Sequence, residues 1–320
     1  MLLTSEIFTA PAASIRADGA HLFWSGNPPK SLADSLAEFG QTAPVLVCET
    51  EDGPSLVAGH SRLALLAAAG QPVLARLVEA EDDADKGRLY LADNGHRVMD
   101  DSMRLAALEY FAPLLDRAEL ESDILPRLGV RPTSKDAGFL LAWLDLEPEW
   151  RALLAAGNVP LAAAGPLARM TAEDRNAARP LFAALSWSRS NGVNVLTWLF
   201  ETARMSASPV AEVMDRAGMN AALGQGLSPK DAIARLTACA RQVRHPELGR
   251  LQARYAEAAA EITAGTRWRM AQPDNFETGS SELSVQVKTP EQLSRAAREL
   301  TELAESPAWG KLWDLGSGNE

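Results

Sequence analysis

The most constraining feature of the sequence is a strand-like run that ends in a glycine and is followed at once by a helix. Three short apolar runs are predicted strands: residues 45–48, 54–58 and 73–78. Gly59 follows the second run, and residues 62–69 have helical spacing that stops at Gly70. A glycine at such a turn lets the backbone approach an anion, and the free N–H groups at the start of a helix attract phosphate. Residues 59–62 are therefore predicted to contact phosphate groups.

The periodicity changes twice further along the chain. From residue 102 to residue 262 nearly every segment has helical spacing. The tail returns to strand-like alternation over residues 266–271 and 282–288, which predicts a hairpin around Gly279, and Thr289 begins a capping box that opens a last helix. An α/β beginning, a helical middle and a small β-containing end predict an α+β protein.

Length and composition predict several domains of ordinary globular type. The chain has 320 residues, of which 47% are hydrophobic and 23% charged, enough for two or three separate cores. The predicted regions are 1–100, 101–185, 186–265 and 266–320. The sequence has neither an apolar run of about eighteen residues nor a secretory leader, so we expect a cytoplasmic protein without a membrane contact. Cys48 and Cys239 lack a second ligand at metal spacing and are expected to be buried small side chains.

Charge limits the kind of nucleic-acid contact that the chain can make. The formal net charge of −11 argues against a protein whose whole surface binds nucleic acid, because neutralisation of phosphates by Lys and Arg dominates such affinity. Residues 228–254 are the exception, with six Lys and Arg against two acids. This stretch either faces an acidic partner or forms a solvated helix face.

A second polar motif, Asp93-Asn94-Gly95-His96-Arg97, follows the first after about thirty residues. Its carboxylate and amide offer the hard oxygen ligands that Mg²⁺ prefers when it accompanies phosphates. The histidines of the two motifs have no third ligand at zinc spacing, so imidazole-bound metal is not expected.

The two motifs, taken with residues 31–47, resemble the ParB/sulfiredoxin family. Residues 31–47 predict an amphipathic helix, a glycine turn and a strand that begins Gln-x-x-Pro at Gln41 and Pro44, and the motifs at 59–62 and 93–97 follow in the family's order. The match is to ParB-like partitioning proteins, with Ser61 in place of the family's second arginine and an aspartate in place of its glutamate. Sulfiredoxin chemistry requires a cysteine in the first motif, so that reductase activity is not expected.

The resemblance implies a site for a nucleoside triphosphate with Mg²⁺, where characterised relatives bind CTP. The implied nucleotide-binding residues are Gln41, Pro44, Gly59, His60, Ser61, Arg62 and Arg97. Asp93 and Asn94 are the implied magnesium ligands. Arg62 is expected to contact phosphate from the surface and to contribute little to stability. Whether the chain hydrolyses the nucleotide slowly, as a CTPase, stays open.

The helical middle resembles the ParB helix-turn-helix. The similarity covers residues 125–135, 140–150 and 153–161. In that family the first residues of the second helix enter the major groove of DNA. The implied DNA-binding residues are Arg131, Thr133, Ser134 and Lys135, with Arg241 and Arg244 of the basic stretch adding phosphate contacts. Because residues 119–170 hold five basic and seven acidic side chains, the helix-turn-helix has an alternative role in packing alone.

The C-terminal hairpin and helix resemble the element that pairs two ParB protomers. A lone hairpin has open strand edges and is too small to be stable, and pairing across a two-fold axis solves both problems. The implied partners are DNA, a second copy of the chain and a partition ATPase, and a DNA-bound protein would be associated with the nucleoid. The alternative is that this element packs on the rest of the same chain.

Two other functions are consistent with the same motifs. One is a phosphotransferase or kinase on the same fold, for which Glu38 on the first predicted helix is the candidate general base. The other is an interaction protein whose phosphate site is vestigial, which predicts no nucleotide-dependent rise in melting temperature.

Overall fold

The structure is a computed structural model and describes residues 3–273, 276 and 280–315. The chain divides into two compact units, Met1–Phe200 and Glu201–Glu320. The four regions predicted from the sequence stay a prediction. In the part of the chain that the structure describes, no helix is long and apolar enough to span a lipid bilayer.

The first unit begins with a four-stranded sheet. Its strands are β1 (Leu3–Pro11), β2 (Val45–Thr50), β3 (Gly53–Ala58) and β4 (Pro72–Val78). The order is β1-β4-β2-β3, with β4 antiparallel to β1 and parallel to β2, and with β2 and β3 forming a hairpin. Val45 and Val47 of β2 and the consecutive Leu56, Val57 and Ala58 of β3 are fully buried. The three predicted strands are confirmed, and β1 is a strand that the sequence pattern did not predict.

Helices make up most of the remaining described chain. Those that begin in the first unit are α1 (Lys30–Phe39), α2 (His60–Ala68), α3 (Asp83–Asp93), α4 (Asp101–Phe111), α5 (Arg117–Glu119), α6 (Leu125–Arg127), α7 (Lys135–Trp143), α8 (Pro148–Ala155), α9 (Ala164–Leu167), α10 (Ala172–Ala178) and α11 (Arg189–Ser206). A π-helical segment, Leu120–Ile124, joins α5 to α6. α4 packs close to α3, because a Cβ at Gly87 would lie 2.6 Å from Phe111 Cζ.

The second unit is helical with a small sheet near its end. Its helices are α12 (Val210–Arg216), α13 (Met219–Leu223), α14 (Pro229–Arg244), α15 (Pro246–Ile262), α16 (Pro290–Ala304) and α17 (Trp309–Trp313). β5 (Arg269–Ala271) and β6 (Glu282–Ser284) pair antiparallel. Tyr255, Ile262, Leu303 and Leu312 belong to one buried cluster, which joins α15, α16 and α17.

The α+β prediction is confirmed. In the tail, the hairpin and the helix start predicted from the sequence are both present, with differences in length and in one capping contact. The predicted hairpin corresponds to the shorter β5 and β6, and its Gly279 lies outside the described residues. Thr289 caps α16, since its hydroxyl accepts from Gln292 N at 3.3 Å. Gln292 Oε1 accepts a hydrogen bond from Lys288 N at 2.8 Å, rather than from Thr289 N. Thr289 therefore caps the helix as predicted, whereas the reciprocal bond of Gln292 is made with the residue before Thr289.

Candidate functional site

The turn between β3 and α2 requires a glycine for two separate reasons. Gly59 has φ of 99°, in the left-handed region, where a side chain is strained. A Cβ at this position would also lie 2.8 Å from Val45 Cγ1 on β2. The turn starts α2 at His60, so the N–H groups of the first helical turn have no acceptor within the helix. This is the geometry that the sequence predicts for an anion site.

The two sequence motifs line one cavity of about 700 Å³ in the first unit. Eight of their residues line it: Gly59, His60, Ser61, Arg62, Asp93, Asn94, His96 and Arg97. The first four come from the start of α2, and the others come from the end of α3 and the segment after it. His60 Nδ1 is buried and makes no hydrogen bond within the described chain, which leaves it available to a ligand.

Arg62 has a structural position that the sequence did not predict. Its Nη1 donates to Pro44 O at 2.8 Å and to Ala43 O at 3.1 Å, and its Nη2 donates to Asp93 Oδ2 at 3.0 Å. The side chain is only 18% exposed. The expectation of a surface arginine is wrong, because this guanidinium is mostly buried and joins the segment before β2 to the end of α3. We therefore expect it to contribute to stability.

Arg97 is the motif arginine whose side chain is free to contact a ligand. Within the described residues its side chain makes no hydrogen bond or ion pair, and it lines the cavity. Tyr90 lines the same cavity; burial raises the pKa of its hydroxyl, and the positive charge of Arg97 opposes this shift. A free guanidinium at a cavity wall is suited to bidentate contact with phosphate.

The implied magnesium ligands fit the ion in part. Asp93 uses Oδ2 for Arg62, and its Oδ1 makes no bond with the described residues. Asn94 is 5% exposed, and its Nδ2 donates to Tyr90 O at 2.9 Å, so Oδ1 is the side-chain atom left for a ligand. Mg²⁺ usually takes one or two protein oxygens and fills its other positions with phosphate and water. These two residues meet that requirement without forming a closed cage.

An aromatic wall completes the cavity and was not predicted from the sequence. Trp24 and Tyr90 both line it, with ring centroids 5.9 Å apart. Trp24 is held in place by its indole N–H, which donates to Met103 O at 2.8 Å. The His21 ring centroid lies 6.5 Å from that of Tyr90. His21 is buried with Nε2 2.8 Å from Leu56 O, and burial lowers its pKa. The available signal was the close spacing of His21, Phe23 and Trp24 in a segment without regular periodicity.

Three predicted site residues do not line the cavity. Gln41 pairs with the backbone of β4, since its Nε2 donates to Leu74 O at 2.8 Å and its Oε1 accepts from Leu74 N at 2.6 Å. Pro44 contributes the carbonyl that Arg62 binds. Glu38 is exposed on α1 and is absent from the cavity lining. Gln41 and Pro44 therefore position the loop before β2 instead of shaping the base end directly.

The predicted DNA-binding residues of the first unit lie around the start of α7. Ser134 caps the helix, because its hydroxyl accepts from Ala137 N at 3.2 Å. Arg131, Thr133 and Lys135 are exposed. The side chains of Arg131 and Lys135 make no hydrogen bond or ion pair with any residue that the structure describes. The structure thus presents two free cations beside a capped helix start.

The two predicted DNA-binding residues of the second unit are already engaged. Arg244 Nε donates to Glu201 Oε2 at 2.8 Å, and its side chain is 24% exposed. Arg241 also interacts within the chain, and the two arginines lower the pKa of His245 after burial does. A phosphate contact by Arg244 would have to break a formed ion pair.

Comparison with known proteins gives one match in sequence. No family model matches the chain. Over 147 residues the chain is 31% identical to the chromosome-partitioning protein Spo0J of Thermus thermophilus. The match covers 46% of this chain and 53% of the relative, so the chain spans about half the length of the curated relative it matches.

Three solved structures show distant similarity. C-terminally truncated ParB from Caulobacter crescentus with CTP-gamma-S has a TM-score of 0.27 at 19% identity and covers 52% of this chain and 94% of its own. The same protein complexed to the centromeric parS site has a TM-score of 0.35 at 17% identity, with 73% and 99% covered. A Pnob8-like ParB-N domain has a TM-score of 0.36 at 13% identity, with 76% and 94% covered.

Similarity at these scores is too low to define the fold of this chain. The sequence match is to a protein of the family that the motifs at residues 59–62 and 93–97 resemble. Over somewhat less than half of its length, the chain is thus similar to a ParB-like chromosome-partitioning protein.

Proposed function

We propose that the chain is a ParB-like DNA-binding protein with a nucleoside triphosphate bound in the cavity between α2 and α3. The observation that carries this proposal is that two motifs about thirty residues apart line the same cavity of about 700 Å³. Its volume is within the usual range of small-molecule sites. The resemblance to ParB-like proteins makes CTP the first nucleotide to test.

Each part of the cavity has a role in this proposal. The first turn of α2 and Arg97 hold the phosphates, since N–H groups and a free guanidinium both favour anions. Trp24 offers an aromatic surface on which a base stacks. Asp93 holds Mg²⁺ together with the phosphates, and the ion supplies positive charge that neutralises them. Arg62 acts on the site indirectly, by fixing Asp93 and the loop before β2.

The phosphotransferase alternative has less support from the geometry. Its candidate base, Glu38, is exposed and lies outside the cavity lining. A general base must lie within hydrogen-bond reach of the hydroxyl that it deprotonates. Nucleotide turnover separates the functions: stimulation by duplex DNA supports the partition type, whereas DNA-independent transfer to an added hydroxyl supports a kinase.

DNA binding by this chain would use the start of α7. The helical stretch 117–127, the turn after it and α7 have the order of a helix-turn-helix, with Arg131 and Lys135 exposed at the second helix. Side chains at this position of the motif reach base edges in a major groove. A nucleoid-associated location follows if DNA is bound.

A second copy of the chain is the proposed partner of the tail. α16 has Leu303 buried, whereas Leu293 and Leu300 on the same helix are 58% and 39% exposed. Trp313 is 57% exposed although its ring stacks on Trp309 at 5.5 Å. Apolar side chains left exposed beside a short two-stranded sheet favour a self-complementary contact. A partition ATPase is a further proposed partner, which rests on the resemblance alone.

Thermal unfolding with a nucleotide panel tests the proposal. CTP, ATP and GTP are each added with and without Mg²⁺, and we expect a rise in melting temperature that is largest with CTP and Mg²⁺. Arg97→Gln should remove the rise. Arg131→Gln is the matched control, because it removes an equally unpaired arginine of the same unit outside the cavity. No rise with any nucleotide would favour the interaction protein with a vestigial site.

A further inference from the structure

A second, open cleft of about 870 Å³ lies in the first unit, beside α7, α9 and α11. Lys135 at the start of α7, Arg169 after α9 and Arg189 at the start of α11 all line it. None of the described residues that line the cleft is acidic. In a chain with 42 acids against 31 Lys and Arg, a cleft with three cations and no acid is a local reversal of charge.

The three cations are exposed and only weakly engaged. The Lys135 side chain makes no hydrogen bond or ion pair within the described chain. Arg169 Cζ lies 4.5 Å from the centre of the Phe200 ring, so its guanidinium plane is supported without losing its charge. Arg189 is 67% exposed and lies 3.9 Å from Asp136 Oδ1, too far for a strong hydrogen bond.

The wall that α11 contributes is polar and made of small side chains. Ser190, Asn194 and Thr197 line the cleft at intervals of four and three residues. That spacing places them on one face of a helix. Hydroxyl and amide groups of this kind are common donors to phosphate oxygens, and their small size allows a backbone to come close.

We propose that this cleft binds the phosphate backbone of duplex DNA next to the start of α7. The inference rests on the proposed DNA-binding function and names a different set of phosphate contacts from the predicted Arg241 and Arg244. Lys135 belongs both to the cleft and to the residues predicted to contact DNA, so a duplex held at the start of α7 continues into the cleft.

The character of the cleft favours a polyanion over a small phosphorylated ligand. Its cations are exposed on three separate elements and none is enclosed by the protein. A small anion needs convergent, desolvated donors for tight binding, whereas a duplex gains affinity from several exposed cations that each neutralise one phosphate. Such contacts position DNA without reading its sequence.

The test measures binding of the full chain to short fluorescent DNA duplexes by anisotropy over a series of salt concentrations. Arg169→Gln and Arg189→Gln should each weaken binding to all sequences alike, and each should reduce the slope of log K against log salt by about 1. The control is Arg179→Gln in the same unit. Arg179 is 39% exposed and lies 3.9 Å from Glu149, the same separation as between Arg189 and Asp136. The control should leave affinity and slope unchanged.

Two outcomes overturn the inference in distinguishable ways. If the wild-type chain binds duplex and both cleft variants keep its affinity and salt slope, the cleft is not a DNA contact and the proposed function stands. If the wild-type chain binds no duplex even at low salt, DNA binding itself fails and the inference fails with it. Circular dichroism of each variant establishes that the fold is retained.

Discussion

Replacing Arg62 by alanine should destabilise the first unit, in contrast to the behaviour of an ordinary arginine at a site wall. The guanidinium donates to two carbonyls, of Ala43 and Pro44, and to the Asp93 carboxylate at distances of 2.8 to 3.1 Å. These acceptors precede β2 and end α3, so the side chain joins two segments that lie far apart in the sequence. Alanine leaves all three acceptors without this donor.

The expected loss is about 2–4 kcal/mol. A hydrogen bond made by a charged group contributes about 1.5–3 kcal/mol. The three hydrogen bonds share one guanidinium, which is 18% exposed. Their free energies do not add in full, because they are coupled and because water can hydrogen-bond part of the exposed groups in the variant. For a unit of this size the loss corresponds to a fall in melting temperature on the order of 5–10 °C.

Thermal and urea unfolding of the full chain, followed by circular dichroism without nucleotide, measures this loss. Arg97→Ala is the control, because its side chain is unpaired in the described chain and should change stability by no more than about 0.5 kcal/mol. Equal stability of the wild-type and Arg62→Ala proteins would refute the structural role of Arg62. The arginine would then be free to contact phosphate, as the sequence first indicated.

Three further predictions concern other parts of the molecule. Gly59→Ala should cost about 2–5 kcal/mol in denaturant unfolding, from left-handed strain and a contact with β2. Gly95→Ala should cost far less, because Gly95 has no positive φ and its Cβ would meet the nearest backbone oxygens at ordinary contact distances of 3.5 and 3.6 Å. Because burial lowers the pKa of His21, the unfolded state binds more protons than the folded state near and below pH 6.5, and the free energy of unfolding falls as the pH falls. Between pH 7.5 and 5.5, the His21→Gln protein should therefore lose less stability than the wild-type protein. An equal loss in both proteins would contradict this. Replacing Leu293 and Leu300 together by Lys should convert a dimer into a folded monomer in light scattering, and a wild-type monomer at micromolar concentration would mean that the tail does not pair protomers.

The sequence by itself determined the features that depend on near neighbours. Gly59 between an apolar run and a helix indicates the turn before α2, and Thr289 indicates a helix start, because capping involves residues only two or three positions apart. Short apolar runs likewise predicted β2, β3 and β4, because a buried strand is read as a continuous apolar segment of about four to eight residues. The chemical character of both motifs was therefore readable without coordinates.

Only the tertiary structure decided which motif residues are available to a ligand. Arg62 and Arg97 look equivalent in the sequence, yet the first is engaged by acceptors 18 and 31 positions away and the second is unpaired among the described residues. Trp24 enters the site only because its indole N–H reaches Met103 O, 79 positions away. Contacts at such separations depend on how strands and helices pack, and no local pattern encodes them. The same reason applies to the cleft at α11, whose cations come from three segments that the fold brings together.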